Sequence, residues 1–406
     1  MQSPSPTKGF AMSRNRLAFK RNAWISACVM LFYGTGLVAA DDKQVTGPSD
    51  SSPPPPITEK IRVSDDGTHF VFATSGKTYV PWGFNYLGNH RELLEEQWDA
   101  NWDDVVTDFR EMRKLDANVV RIHLQVGTYM TGPNETDAAQ LERLGKLLDL
   151  ARETGLYVDV TGLSCYHLDH IPGWYDGLSE AERWNVQASF WEAIMKVCTG
   201  RPEVFCYDLM NEPILTEAKP DDKNPWLAGE LGGMYFVQRI SKDPGQRKRD
   251  EIAEAWVAKL TAAIRKHDDE ALITVGVIPW AQVFPGAKPL FYSPKIARHF
   301  DFVSVHFYPK AGEIEKTIKA LRVYDIGKPI VVEEIFPLSC GIEELDEFID
   351  GTDDVVDGWV SHYFGKTIEE HRTDKALPGT ELAQHIIACF LEHWRDRGAE
   401  IIGPPQ

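Results

Sequence analysis

Tyr207-Asp208-Leu209-Met210-Asn211-Glu212-Pro213 and Lys328-Pro329-Ile330-Val331-Val332-Glu333-Glu334-Ile335 decide the fold of this chain. Each reads as a buried parallel strand, an unbroken apolar run that closes on a carboxylate. An ordinary strand does not finish on Glu, because a half-buried charge loses hydration and needs partners. Two strands ending this way place paired carboxylates at one mouth of a sheet.

Working outward, strand and helix patterns alternate from about residue 60. Ile61 to Phe72 reads as a hairpin turning at Asp65-Asp66-Gly67, and Tyr79 to Asn85 as a first barrel strand. Asn118 to Leu124, Leu156 to Thr161 and Val204 to Met210 read as strands two to four. Leu272 to Ile278, Phe302 to Phe307, Ile330 to Val332 and Val355 to Val360 read as strands five to eight. Helical spacing separates them. It includes Asp137 to Thr154, stopped by Gly155, and a helix opened by the capping box Ser179-Glu180-Ala181-Glu182. Eight repeats predict an α/β chain folded as a (β/α)8 TIM barrel with extended βα loops and a short N-terminal β-hairpin. A doubly wound open sheet competes less well, since no Gly-rich phosphate loop follows the first strand.

The remaining sequence frames this barrel. Residues 1–40 carry a basic start (Lys8, Arg14, Arg16, Lys20, Arg21), then a mostly apolar run ending Val38-Ala39-Ala40, a signal-peptide pattern. An uncleaved anchor is the competing reading, disfavoured because the run is shorter than the roughly 20 residues a spanning helix needs. Residues 41–58, with Pro53 to Pro56, read as a Pro/Ser-rich linker or plain N-terminal disorder, and 59–400 as the catalytic barrel. The whole chain of 406 residues has a formal charge of −18, and cleavage would make it five charges more negative. That opposes nucleic acid and anionic membrane as partners. Export to the periplasm, the cell surface or the medium is expected, as a monomer with no stable membrane span. Cys198 and Cys206 are close enough in sequence to pair in an oxidising compartment, and buried free thiols are an equal alternative.

Chemistry-bearing residues gather at the C-terminal strand ends, where barrels of this kind keep their active sites. They are Asn85 after strand one, Arg121 on strand two, Asn211 and Glu212 after strand four, His306 and Tyr308 on strand six, and Glu333 and Glu334 on strand seven. Together these segments, from Tyr79 to Phe364, resemble glycoside hydrolase family 5 and its retaining β-glycosidase relatives. The resemblance implies that Glu212 is the acid/base and Glu334 the nucleophile of a double displacement on O-glycosidic bonds. It implies that Asn211 contacts the sugar, that Arg121 orients Glu334, and that His306 and Tyr308 are the strand-six pair. Strand alternation is expected to send Glu333 and Glu334 to opposite faces, so that only one aims inward. The family's strand-three His is absent from its usual position, leaving His167 as a shifted substitute. The strand-eight aromatic floor falls to Trp359, with Tyr363 or Phe364 as alternatives.

The implied substrate is a polysaccharide or oligosaccharide, a β-1,4-glucan or β-mannan by resemblance. Trp82, Trp174, Trp226, Trp280 and Trp359, at or just after strand ends, suit a saccharide cleft or ordinary packing equally. A non-catalytic carbohydrate-binding barrel is the alternative from a different class, disfavoured by the intact Glu212 and Glu334. No cofactor is implied. A metal at His167-Leu168-Asp169-His170 lacks a third ligand, and Gly365-Lys366-Thr367 lacks the earlier glycine of a phosphate loop.

Overall fold

The computed structural model describes residues 55–88, 93–219, 222–231, 233–373 and 380–403. The signal-like segment and most of the linker lie outside them. The described residues belong to one compact unit, Val45–Gln406. Eight parallel barrel strands run in sequence: β1 Trp82–Tyr86, β2 Val119–Gln125, β3 Tyr157–Ser164, β4 Val204–Asp208, a divided β5, β6 Val303–His306, β7 Ile330–Ile335 and β8 Gly358–Phe364. β5 consists of Ile273–Thr274, which pairs with β4, and Gly276–Val277, which pairs with β6. β8 pairs with β1, and the two halves of β5 complete the ring of a (β/α)8 barrel.

Among the strand boundaries that differ from the sequence reading, two matter most. Tyr79 and Asn85 do not share a strand. Thr78–Tyr79 pairs with Phe70–Phe72, which pairs with Ile61–Val63, so the expected hairpin is a three-stranded sheet. Pro81, with no N–H to donate, separates this sheet from β1. β8 starts at Gly358, because Val355 and Val356 close backbone bonds onto Thr352 in the preceding turn. The apolar pattern was the same on either side, so periodicity alone placed the strand too early.

The barrel interior is layered. Its lower layer is apolar: Val119, Tyr157, Phe205, Leu272, Phe302 and Val331. Phe70 of the N-terminal sheet plugs it edge-on, 5.1 Å from Phe205 and 5.2 Å from Phe302 between ring centroids. Alternate strand residues such as Val120, Ile122, Val158, Val160, Val303 and Val305 face the helices and pack there. The capping box at Ser179 and the left-handed Gly155 after Ala138–Thr154 stand as read from the sequence. Above the apolar layer the interior turns polar, and that change positions the site.

Candidate active site

Glu212 follows β4 on a tight turn. Its φ is +47°, a left-handed backbone that a non-glycine residue adopts at a cost of about 1–2 kcal/mol. The peptide is held by Glu212 N–H donating to the Gly276 carbonyl at 3.0 Å. Glu334 lies on β7 and is nearly buried. His306, on β6, stands between them. Its Nδ1 is 2.9 Å from Glu212 Oε1 and 3.5 Å from Glu334 Oε2. One oxygen of each carboxylate and one nitrogen of His306 all fall within 4.8 Å of one another.

Glu334 is fixed from two sides. Arg121 Nη1 donates to its Oε1 at 2.8 Å, and Tyr308 Oη donates to its Oε2 at 2.7 Å. Burial pushes the Glu334 carboxyl up. The charges of His306, His362 and Arg121, with the Tyr308 hydrogen bond, outweigh it and hold the group ionised well below the usual range. For His306, burial disfavours the charge, but Glu334, Glu212 and Glu333 raise the imidazole to about 10. His306 is therefore an imidazolium. Glu212, His306 and Glu334 also have metal-ligand spacing, and a cation there would have to displace the His306 proton. Among the described residues, His167, Asp169 and His170 form no comparable group.

Beneath the pair, Arg121 is fully buried and binds five side chains. It reaches Asp208 Oδ2 at 2.7 Å, Glu334 at 2.8 Å, Thr161 at 2.8 Å, Asn85 at 2.9 Å and Asn211 at 3.0 Å. Asn85 is also fully buried, its Nδ2 donating to the Glu333 and Ser361 carbonyls. That assigns Oδ1 as acceptor for both Arg121 and His123 Nε2. His123 thus carries its proton on Nε2, while Nδ1 accepts from Tyr166 Oη at 2.6 Å. Burial first, then the Arg121 charge, keeps this ring neutral. Asn211 is tied down by Nδ2 donating to the Phe236 carbonyl at 2.8 Å.

Several sequence expectations need correction. Asn85 and Arg121 face the nucleophile and its supports from below and expose no surface to a sugar. His167 opens the turn Leu168–His170, its ring 5.3 Å from His170 and its charge neighbours Glu96, His170 and Asp169. It does not contact the carboxylate pair; Tyr166, one residue earlier, takes the strand-three position by way of His123. Trp359 lies at the base of β8, next to Gly358, and is buried against Trp82, which stacks on Trp394 at 3.9 Å. It is a core residue, and the mouth of β8 instead holds half-buried His362 and Tyr363. Trp82 and Trp226 are buried too, whereas Trp280 is exposed and stacks on exposed Phe284. All five cysteines after Cys28 are free thiols, Cys198 and Cys206 included.

The largest correction concerns Glu333. Alternation should turn it away from Glu334, yet both lie inside the barrel. The register of β7 shifts against β6, so that His306 pairs with Glu334, and shifts again against β8 between Val332 and Ile335. This bulge adds a residue to one face. Glu333 Oε2 lies 3.4 Å from Arg121 Nη2 and 3.6 Å from His306 Nε2, with no surface exposed.

A closed parallel barrel with two carboxylates at its C-terminal mouth has the groups needed to attack glycosidic bonds. The match to the family model "Cellulase (glycosyl hydrolase family 5)" spans residues 82–337, and the chain belongs to that family of glycoside hydrolases acting on O-glycosyl bonds. No curated protein matches significantly. Among solved structures, the exo-β-1,4-mannosidase Op5Man5 of Opitutaceae bacterium strain TAV5 is 18% identical with a TM-score of 0.60. The alignment covers 84% of this chain and 62% of that one, so this chain spans under two thirds of the mannosidase's length. The β-1,4-mannanase of the sea hare Aplysia kurodai is 18% identical over 80% of this chain and 96% of its own, TM-score 0.55. The catalytic domain of Thermobifida fusca endoglucanase Cel5A is 16% identical over 81% and 97%, TM-score 0.51. These likenesses concern the fold.

Proposed function

We propose that this glycoside hydrolase is a retaining β-glycosidase that acts by double displacement on β-1,4-linked mannan or glucan chains or their oligosaccharides. The observation that carries the reading is the close approach of Glu212 and Glu334, with oxygens within 4.8 Å across a shared His306. Retaining enzymes keep their carboxyls roughly 5–5.5 Å apart, whereas inverting ones need about 6.5–9.5 Å to admit a water. Glu334, ionised and aimed by Arg121 and Tyr308, attacks the anomeric carbon. Glu212 donates its proton to the leaving oxygen, then takes one from the water that cleaves the glycosyl-enzyme. The exposed Trp280 and Phe284 pair beside Gln282, whose Nε2 donates to the Tyr308 carbonyl, supports a saccharide-binding wall on that side.

Mannan stands first in the proposed order, since the neighbours include an exo-mannosidase and a mannanase beside an endoglucanase. Export is part of the proposal, on the strength of the basic start and Val38-Ala39-Ala40. No helix among the described residues is long and apolar enough to cross a membrane. The test is a panel of β-mannans and β-glucans with the Glu212→Ala variant alongside. That variant is expected to lose far more rate on natural chains than on activated aryl glycosides, which need no protonated leaving group, and azide is expected to restore turnover. Equal losses on both, with no azide rescue, contradict the role of Glu212.

A further inference from the structure

Below the catalytic carboxylates lies a second set of acidic groups that the displacement chemistry does not use. Asp159 on β3 and Glu333 on β7 are buried inside the barrel, each within hydrogen-bonding reach of the other. Neither oxygen of Glu333 meets a conventional N–H or O–H donor, and Asp159 Oδ1 has none either. Two ionised carboxylates side by side in such a place would repel in a medium of low polarity, with no water to screen them. A single proton between them resolves both problems, because a carboxylic acid donates where a carboxylate can only accept.

The surroundings fix which group keeps the charge. Glu333 Oε2 faces Arg121 Nη2 at 3.4 Å and His306 Nε2 at 3.6 Å. The latter is too long for a hydrogen bond but within ion-pair reach. These three groups converge on one spot. A Cβ on Gly276 would lie 2.6 Å from Glu333 Oε2, 2.7 Å from His306 Nε2 and 3.1 Å from Arg121 Nη2, so only glycine leaves room for them. Asp159 has the weaker cationic company. Burial and the Glu333 charge push its carboxyl well up, while Arg121 and His306 draw Glu333 down despite burial.

We propose that Asp159 and Glu333 form an acid–carboxylate pair sharing one proton, and that its single negative charge is the inner counter-ion that keeps His306 an imidazolium donating to Glu212. Glu333 and Asp159 are positioning residues in this account. They touch neither sugar nor reacting atoms, and act through His306. Besides Glu333, His306 faces Glu212 from β4, Glu334 from β7, and Arg121 and His123 from β2. Glu333 and Asp159 in turn face Asp208 and Cys206 on β4 and Arg121 on β2. Tyr292 lies near Glu333 and Tyr79 near Asp159. Glu333 follows Val331 onto the inner face by alternation, and the bulge in β7 brings Glu334 in beside it, so adjacent residues supply the counter-ion and the nucleophile.

The experiment is an NMR titration of the histidine ring nitrogens in full-length protein, with His306 assigned by its loss in His306→Gln. Infrared difference spectra of the carboxyl carbonyl stretch accompany it. Neither readout requires turnover, so the glycosidase reading and this one fail independently. Glu333→Gln is expected to lower the His306 midpoint by at least about one unit, the shift typical of removing an opposite charge at this range. Asp159→Asn is expected to leave that midpoint in place, because an amide N–H replaces the carboxyl O–H, and to remove a protonated-carboxyl band present in the parent at neutral pH. An unmoved midpoint in Glu333→Gln overturns the counter-ion. A midpoint that falls as far in Asp159→Asn as in Glu333→Gln, or an unchanged carbonyl spectrum, overturns the shared proton. Should Glu333→Gln fail to fold, the Asp159→Asn spectra still decide.

Discussion

Replacing Arg121 with Met removes one cation from three buried carboxylates: Asp208 at 2.7 Å, Glu334 at 2.8 Å and Glu333 at 3.4 Å. Breaking one buried ion pair by deleting a partner typically costs about 3–5 kcal/mol, and that range is the floor expected here at neutral pH. The cost has a pH signature. In the wild type, Glu333 and Glu334 are held below their unfolded values. Their contribution is complete above the unfolded carboxylate pKa of about 4.3 and is lost only as pH falls through the lower folded values. Without Arg121, the Asp208 carboxyl, which burial and the Glu333 charge already raise above its unfolded value, moves to still higher values. Stability is then lost as pH rises through the new ones. One carboxylate displaced by a single unit contributes about 1.4 kcal/mol. The gap between variant and wild type should therefore widen by at least about that much between roughly pH 5 and pH 7. Urea unfolding followed by tryptophan fluorescence, with the slope checked for constancy, measures it. A gap that stays constant or narrows with rising pH would refute the claim that Arg121 works by neutralising this layer.

Two further outcomes follow from other parts of the molecule. Trp359→Ala should cost about 3–5 kcal/mol of stability, as expected for a buried aromatic, while leaving KM for saccharides unchanged in the folded fraction; a raised KM at wild-type stability would return Trp359 to the cleft. Asp108 is buried beneath Tyr86, whose Oη donates to it at 2.6 Å, and burial lifts its carboxyl to about 7. A raised folded value means stability is fully present below the unfolded pKa of about 3.9 and is lost as pH rises through 7. Asp108→Asn should flatten that decline in unfolding free energy between about pH 4 and pH 7, and a slope identical to wild type across that range would contradict it.

Much of the site was legible because strand ends announce themselves. Asn211-Glu212-Pro213 and the Glu pair near the end of β7 interrupt apolar runs, and His306 ends β6 with Tyr308 two residues beyond it. What failed was whatever depends on register. A bulge leaves no periodic trace, so the sequence could not show that Glu334 faces inward beside Glu333. Trp359 was misassigned because β8 begins three residues later than its apolar pattern, which moves the residue from the strand's mouth to its base. Asp159 did leave a signal: one acid within the buried run Tyr157-Val158-Asp159-Val160, a position that demands a partner. Tyr166 could not be told from His167 by sequence, since only the pairing of its hydroxyl with His123 separates them.

The central claim is that Glu334, and not its neighbour Glu333, attacks the sugar. A 2-fluoro-glycoside with an activated leaving group traps the covalent intermediate of a retaining enzyme, and mass spectrometry of the digested protein locates the ester. The geometry predicts a label on Glu334, retained in Glu333→Gln and abolished in Glu334→Gln, with product of retained anomeric configuration. A label on Glu333, or an inverted product from the unmodified enzyme, would contradict the account.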